Sequence, residues 1–496
     1  MPSYSSINLH PSSHLLSALK THVYDVICIG SGWAGRIIAA RIVKAGRTAI
    51  IIEQELVGGD CPFWACVPSK ALLRPKEALD AARAVSGTKE KITEGGVNVG
   101  KVFERRDRYA GNFDDGVALV PMVESSGAVL VRGTGKIVGE KMVKVETLDG
   151  ESVTIEARLA VAICTGSEPF IPETVRDANP WTPRHATSAS IAPEHLVIMG
   201  AGAVGTEMAT AYSGFGAKVT LISSTEEILP KIDTEGARIV RKKLIGDGVD
   251  VILSTKVVAA SRNSDTSVTV ELSNGNTIIA NELLVAAGRR ALTMDIGLDQ
   301  LGLKSDGSPL PVDESLRVKL PSNQWLYAGG DVNGRAQLTH SSKYHGRIVA
   351  NSILNNISSA PTANSKDPWG PLVATADHRA QPAVIFTSPT VATVGLTKKT
   401  ASVAGVNFRE ITAPARTLGA MLHEEGYESG WAQWIVDEDS NKLLGATFVG
   451  NGVADLLHAS TVAIVGGLTL EQLSHAIPSF PTMSEVYLNL LEAAGI

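Results

Sequence analysis

Cys61 and Cys66 stand five residues apart in the stretch Val57-Gly58-Gly59-Asp60-Cys61-Pro62-Phe63-Trp64-Ala65-Cys66-Val67-Pro68-Ser69-Lys70. Paired cysteines serve either metal coordination or reversible oxidation. A metal site asks for further ligands at characteristic spacing, and no second Cys pair or His pair accompanies these two. A redox disulfide fits better. In a regular helix, positions five apart face different sides and are too distant for a relaxed disulfide. The bond therefore requires a distorted first turn, and Pro62 suits such a helix start. A strained bond is easier to reduce, as a catalytic disulfide must be. Cys28 and Cys164 lie inside apolar runs and read as buried packing. Lys70 follows Cys66 by four residues, which puts both on one helix face. It is either a solvated surface charge or, with Glu207, half of an ion pair. Glu207 in turn reads equally well as a plain first-turn carboxylate favoured by the helix dipole. Composition does not choose between these.

The elements that must position these groups are set out by a repeat. Tyr24 to Glu53 and His195 to Ser223 carry one pattern: an apolar run, G-x-G-x-x-G, an amphipathic segment and a second apolar run. Gly30, Gly32 and Gly35 fall on Gly200, Gly202 and Gly205. This is strand, tight turn, helix, strand. The first Gly permits the turn, the second lets a pyrophosphate approach the backbone, and the third lets helix and strand pack closely. The helix N-terminus then offers free N–H groups and a positive dipole end to the phosphates. The copies differ at the end of the second strand. Glu53 can accept hydrogen bonds from both ribose hydroxyls, whereas Ser223 occupies the matching place. Ser does not repel a 2′-phosphate, yet no Arg stands beside it and Glu226 and Glu227 follow. The second site is undecided between NADPH and NADH, with a lean to NADPH from the absence of repulsion alone.

With 496 residues, the chain has room for about three domains. Charged residues at 19% and hydrophobic ones at 44% are globular values that exclude disorder. A net charge of -6 argues against nucleic acid as a partner. No apolar run approaches the roughly 18 residues a membrane helix needs, so no membrane association is expected. Four cysteines exclude a secreted disulfide scaffold. Residues 1–22, rich in Ser, His and Pro with one Lys and no Arg, lack a signal-peptide core and the Arg of a transit peptide. They read as a flexible arm on an intracellular, cytoplasmic protein. Within 86–125 mixed charged and apolar residues predict surface helices. The stretch 455–472 predicts an amphipathic helix closing on Gly466-Gly467, and 355–381 a loop or linker.

In this order, GSGWAG with Glu53, GGDCPFWACVPSK, CTGSEPFIP, GAGAVGTE, AAGRR, LYAGGDV and AVIFTSPTVATVGLT resemble the motifs of the flavoprotein disulfide reductases. This is the pyridine nucleotide-disulfide oxidoreductase family, which includes dihydrolipoamide dehydrogenase and mercuric reductase. The resemblance spans about residues 22–496. It implies an α/β fold with two Rossmann-like domains, for FAD and NAD(P), and an α+β C-terminal dimerisation domain. The implied boundaries are 23–165 with 290–380 for FAD, 166–289 for NAD(P) and 381–496 for dimerisation. Gly30, Gly32, Gly35, Glu53, Gly59, Lys70, Gly135, Thr165, Gly166 and Asp331 are implied to bind FAD. Gly200, Gly202, Gly205, Ser223, Gly288 and Arg289 are implied for NADPH or NADH. Lys70 and Glu207 are implied to pair beside the flavin, Cys66 to face it, and Cys61 to meet the substrate. A homodimer with shared active sites follows, each completed by the partner's C-terminus.

The chain departs from that family in one place that matters. The C-terminal motif is usually H-x-H-P-T-x-S-E, whose second His is the acid/base. Here it reads Pro478-Ser479-Phe480-Pro481-Thr482-Met483-Ser484-Glu485, with Phe480 at the base and Glu485 kept without its partner. Positioned acid/base help is worth roughly 10²–10⁴-fold, and a phenyl ring supplies none. It is also expected to dry the pocket and raise the thiol pKa. The same Phe resembles an atypical branch, that of 2-ketopropyl-coenzyme M oxidoreductase/carboxylase, although Glu485 departs from that branch. His475 reads as a surface residue. Phe63 and Trp64 predict a narrow, apolar substrate channel. The function expected is an FAD-dependent, NAD(P)H-linked oxidoreductase using Cys61 and Cys66 on a small sulfur-containing substrate, with dithiol oxidation equally compatible. The rivals are reductive C–S cleavage and a flavin-bound scaffold whose catalysis has decayed.

Overall fold

The computed structural model describes residues 4–92, 95–358, 367–425, 427 and 430–496. The first glycine pattern folds as strand Val23–Ile29, helix Trp33–Lys44 and strand Ala49–Glu53, with the two strands parallel from Val26↔Ala49 to Ile29↔Ile52. Strand Val129–Arg132 flanks them on one side and Ser152–Ile163 on the other. That last strand changes character along its length. Its first half alternates exposed and buried residues and pairs antiparallel with Met142–Glu146, one face in water. Its second half, Ala160–Ile163, is wholly buried and lies parallel to Val23–Ile29 and to Leu326–Ala328. The change is legible in the sequence, where SVTIEAR alternates and LAVAI does not.

The chain leaves this sheet after Ile163 and returns at Leu326. In between, the second glycine pattern forms His195–Met199, helix Ala203–Gly214 and Lys218–Ile222 in a four-stranded parallel sheet with Asp250–Ile252 and Glu282–Val285. A three-stranded antiparallel meander, Val257–Arg262, Val268–Leu272 and Thr277–Ala280, packs on it. The two crossings form a short ribbon, Ser167–Pro169 against Arg289–Ala291. The C-terminal part is a five-stranded antiparallel sheet from Pro382 to Gly450, with helices Leu457–Gly466 and Val486–Ala493 over a core that includes Trp434 and Phe448. The architecture is the α/β one expected: two Rossmann-like units and an α+β C-terminal unit.

Two expectations change. Residues 4–22 are not a free arm: Leu16 sits in the core, Arg132 N–H donates to the His14 carbonyl, and Tyr4, Ile7 and Leu9 pack on the cluster of Phe63, Trp64 and Phe113. Helix Val99–Tyr109 is not merely superficial, because Phe103 and Arg106 are fully buried and Arg106 donates to the carbonyls of Thr187 and Ala189. Of the stretch expected as a linker, 359–366 lie outside the described residues. The helix expected near 455–472 runs Leu457–Gly466 and ends at Gly467 in the left-handed conformation. Among the described residues, no helix is long and apolar enough to cross a membrane.

Candidate redox site

A glycine turn at Gly58 and Gly59, both with positive φ, leads into a single helical turn, Asp60–Phe63. Trp64 and Ala65 then leave helical geometry, Ala65 at φ -128 and ψ -102, and Cys66 opens the long helix Cys66–Arg83. This break is the distortion the spacing of the two cysteines requires. Both are free thiols, joined by a hydrogen bond, so the structure describes the reduced pair. Cys66 Sγ lies 3.2 Å from Thr339 Oγ1, at the start of helix Thr339–Asn356.

The hydrogen bond from Cys66 is the largest cause bringing the Cys61 thiol down to about 6, against the penalty of burial. Thr339, the Trp33 indole and the Arg36 charge act in the same direction. The same hydrogen bond pushes Cys66 up. The pair therefore gives up one proton readily, as Cys61 thiolate beside Cys66 thiol. This reverses the raised thiol pKa expected from Phe480. That side chain is 70% exposed in the single chain and does not dry this chain's own thiols. Nor do Phe63 and Trp64 line a channel. Both are buried, and Trp64 is stacked 5.3 Å from Phe113 with Tyr4 at its edge. Cys28 and Cys164 are buried, and burial pushes Cys164 up to about 12.

Lys70 Nζ donates to both Glu207 oxygens, at 2.9 and 2.7 Å. Glu207 Oε1 also accepts from the Phe386 backbone N–H at 2.9 Å, and Lys70 Nζ lies 4.7 Å above the Phe386 ring. Three separate parts of the chain thus meet one turn beyond Cys66, and the carboxylate is buried while the ammonium stays partly wet. The solvated-lysine reading is excluded. Glu485, by contrast, serves a local cap. Its Oε2 accepts from the Thr482 and Gly419 backbone N–H groups. His475 is exposed.

The two glycine turns have the same build. A Cβ at Gly30 would meet the Cys164 carbonyl at 2.3 Å, and one at Gly200 the Ala286 carbonyl at 2.5 Å. At Gly35 and Gly205 a Cβ would strike the Gly30 and Gly200 carbonyls. At Gly32 and Gly202 nothing lies within 4 Å, so the middle glycines leave open space where a diphosphate would approach. Gly59 stands against Gly32. Glu53 is buried and accepts through Oε2 from Ser31 N–H and Oγ, which aims the carboxylate at the turn. Both turns fit a dinucleotide.

Asp331 accepts from Ser167 Oγ at 2.7 Å, and burial raises its carboxyl above the ordinary range. Thr165 donates to the Leu292 carbonyl, and Gly166 and Gly288 have positive φ with free space around them. Gly135 is a packing position, with its Cβ direction facing Ile29 and Ile52. Arg289 differs from expectation. Its guanidinium reaches Ser167 and Asp60, on the side of Asp331 and the redox turn, rather than the second glycine turn. Ser223 is buried and hydrogen-bonded to Thr225 at 2.8 Å, while Arg241 is held by both oxygens of Glu227. Trp33, Arg36 and Thr339 near the sulfurs, and Lys343 over the Trp33 ring, were missed from sequence. Trp33 and Arg36 lie in and beside the glycine motif itself, but Thr339 and Lys343 carry no local signal.

Residues 24–346 match the family described as pyridine nucleotide-disulphide oxidoreductase, and 381–491 its dimerisation domain. The chain is 31% identical over 480 residues to a mercuric reductase of Streptomyces lividans, covering 94% of this chain and 95% of the relative. It is 27% identical to the dihydrolipoyl dehydrogenase of Geobacillus stearothermophilus, covering 95% and 96%. Among solved structures, LpdA from Mycobacterium tuberculosis aligns with a TM-score of 0.79 at 23% identity, covering 95% of this chain and 99% of that one.

Proposed function

The chain belongs to the pyridine nucleotide-disulphide oxidoreductases, flavoenzymes that use FAD and NAD(P)H, and from that membership we propose that Cys61 and Cys66 are its redox pair, acting on a small substrate that presents a disulfide. The observation that carries this reading is the break in helix geometry at Trp64 and Ala65, which leaves the two free thiols at the start of helix Cys66–Arg83. Bound FAD supplies the hydride chemistry between nicotinamide and the sulfurs. Gly30, Gly32, Gly35, Glu53, Gly59, Thr165, Gly166 and Asp331 would hold it. Gly200, Gly202, Gly205, Ser223 and Gly288 would hold the nicotinamide nucleotide, and the Lys70–Glu207 pair would stand beside the reacting rings.

The thiol step balances without a histidine. Cys61 thiolate attacks one substrate sulfur, and the substrate S–S bond breaks. The Cys66 proton passes to one leaving thiolate. Cys66 sulfur then displaces the substrate from Cys61, closing the Cys61–Cys66 disulfide and releasing the second thiolate. Two electrons have moved from the pair to the substrate. The dimerisation domain supports a homodimer, in which the exposed Phe480 of each subunit would close the other's thiol pocket. A second reading, C–S cleavage by Cys61, is favoured by that Phe, which cannot protonate a carbanion. The intact thiol pair and both open glycine turns speak against a decayed scaffold.

Anaerobic addition of NADH, and separately of NADPH, tests the reading through the flavin spectrum and a thiol assay. Two new thiols for each equivalent of NAD(P)H consumed are expected, with the flavin returned to its oxidised form. Flavin reduction without thiol release would remove Cys61 and Cys66 from the electron route.

A further inference from the structure

A buried imidazole that the thiol chemistry does not use stands against the Asp331 turn. His345, on helix Thr339–Asn356, is fully buried, and so is the Asp377 side chain that faces it. Its Nε2 lies 3.0 and 2.9 Å from the two Asp377 oxygens. Its Nδ1 accepts from the Gly330 backbone N–H at 3.0 Å and lies 3.3 Å from Asn333 Nδ2. Asn333 Oδ1 accepts from the Arg335 backbone N–H, which turns the amide nitrogen toward the ring. A peptide N–H and an amide NH2 can only donate. Nδ1 is therefore the acceptor, and the ring proton sits on Nε2, donated to Asp377. Arg335 Nη1, 3.5 Å from the same carboxylate, adds a positive charge beside it.

The backbone explains what this ring holds. Strand Leu326–Ala328 pairs with Ser152–Ile163 as far as Ala328↔Ile163, and Gly329 N–H still donates to the Ile163 carbonyl. Gly330 N–H is the next donor along and is buried. A buried peptide N–H needs a partner, and the imidazole is the one it has. Gly330 has φ +87 and turns the chain into the short helical turn Asp331–Asn333. The Asp331 carboxylate is held at its far end by Ser167 Oγ. His345 thus fixes the backbone on one side of Asp331 while Ser167 fixes the side chain. Asp377 orients the ring from 32 residues along the chain, just before the C-terminal sheet.

We propose that His345, oriented by Asp377, is a positioning residue for the cofactor: by holding Gly330 N–H it keeps Asp331 where FAD is to be bound. A group that binds a ligand keeps its geometry only if its own support is fixed. This rests on reading Asp331 as an FAD ligand.

The test is the rate of FAD release from the purified holoprotein, followed as free-flavin fluorescence after dilution. His345→Asn keeps an acceptor near the Nδ1 position, and His345→Leu keeps none. The Leu variant should release FAD about tenfold faster or more, the fold-change of one unpaired buried donor. The Asn variant should stay within about threefold of the wild type. Asp331→Ala should also speed release, and adding His345→Leu to it should change little, because both act through one contact. Effects that multiply in the double variant overturn the proposal and leave His345 a packing residue. Equal acceleration in the Asn and Leu variants, or wild-type release in the Leu variant, overturns it too. Should His345→Leu not fold, His345→Gln decides, since its amide reaches the Nε2 position and leaves Nδ1 empty. Fast release is then expected, and wild-type release overturns the proposal. Wild-type release from Asp331→Ala is a separate outcome: it sinks the assignment of Asp331 to the cofactor, and the proposal with it.

Discussion

Replacing Cys66 by Ala isolates the interaction that sets the chemistry of Cys61. The thiol at 66 gives the hydrogen bond that is the largest cause of the fall of Cys61 from 9.0 to about 6. Without it, burial acts against the weaker help of Thr339, Trp33 and Arg36, and the midpoint should climb back toward 9. At pH 7 the thiolate fraction then drops from about nine-tenths to about one-hundredth, since each pKa unit is a factor of ten. The more basic thiolate is intrinsically the better nucleophile, by about 0.4–0.5 log unit per pKa unit. That returns roughly 20-fold, so the net fall in alkylation rate at pH 7 is about three- to sixfold, a modest effect. The pH midpoint is the sharper measure. Iodoacetamide rates on the reduced protein across the pH range should titrate near 6 in the wild type and well above it in Cys66→Ala. A variant midpoint still near 6 would show that the hydrogen bond is not the cause. A wild-type midpoint near 9 would refute the assignment of the thiolate altogether. The sign for stability follows, because the folded pKa lies below the unfolded one. The Cys61 contribution to the reduced protein is complete above about pH 9, shrinks as the pH falls toward 6 and is gone below it.

Lys70→Met leaves the buried Glu207 carboxylate without its cation. Denaturant unfolding should show a loss below the ~3–5 kcal/mol typical of a fully buried pair, because Lys70 is partly solvated. Glu227→Gln loosens Arg241 from its bidentate partner next to the Ser223 loop. The ratio of kcat/KM for NADPH over NADH should rise severalfold, measured by steady-state oxidation of each. Phe480→His restores a side chain able to carry a proton where the family's base would stand. Turnover of a small disulfide should rise, up to the low end of the ~10²–10⁴-fold range for positioned acid/base help. If the enzyme cleaves C–S bonds instead, the same variant should divert product to the protonated form.

Much of the fold was legible because its signals are local. Gly30 and Gly200 must adopt positive φ under a neighbouring carbonyl, so the turns announce themselves in the residue types. The change from alternating to continuous apolar residues marked where Ser152–Ile163 passes from a half-exposed to a fully buried sheet. The Cys61–Cys66 spacing foretold a broken helix start. What lay beyond reach depended on which way a locally plausible side chain turns. Trp64, flanked by the cysteines, faces Phe113 and Tyr4 because residues 4–22 fold back to cover it.

The sequence by itself determined two glycine turns built for a dinucleotide, a cysteine pair whose spacing breaks a helix start and a phenylalanine at position 480, since each is a matter of residue type and short spacing. Tertiary structure alone decided what surrounds the sulfurs. Thr339 and Lys343 reach the cysteine pair and Trp33 from a helix far along the chain, Arg289 turns toward Asp60 and Ser167, and Phe480 stands out from its own subunit. The physical reason is that a thiol's acidity and a buried side chain's partners depend on neighbours brought together by packing, and packing is not written in any one stretch.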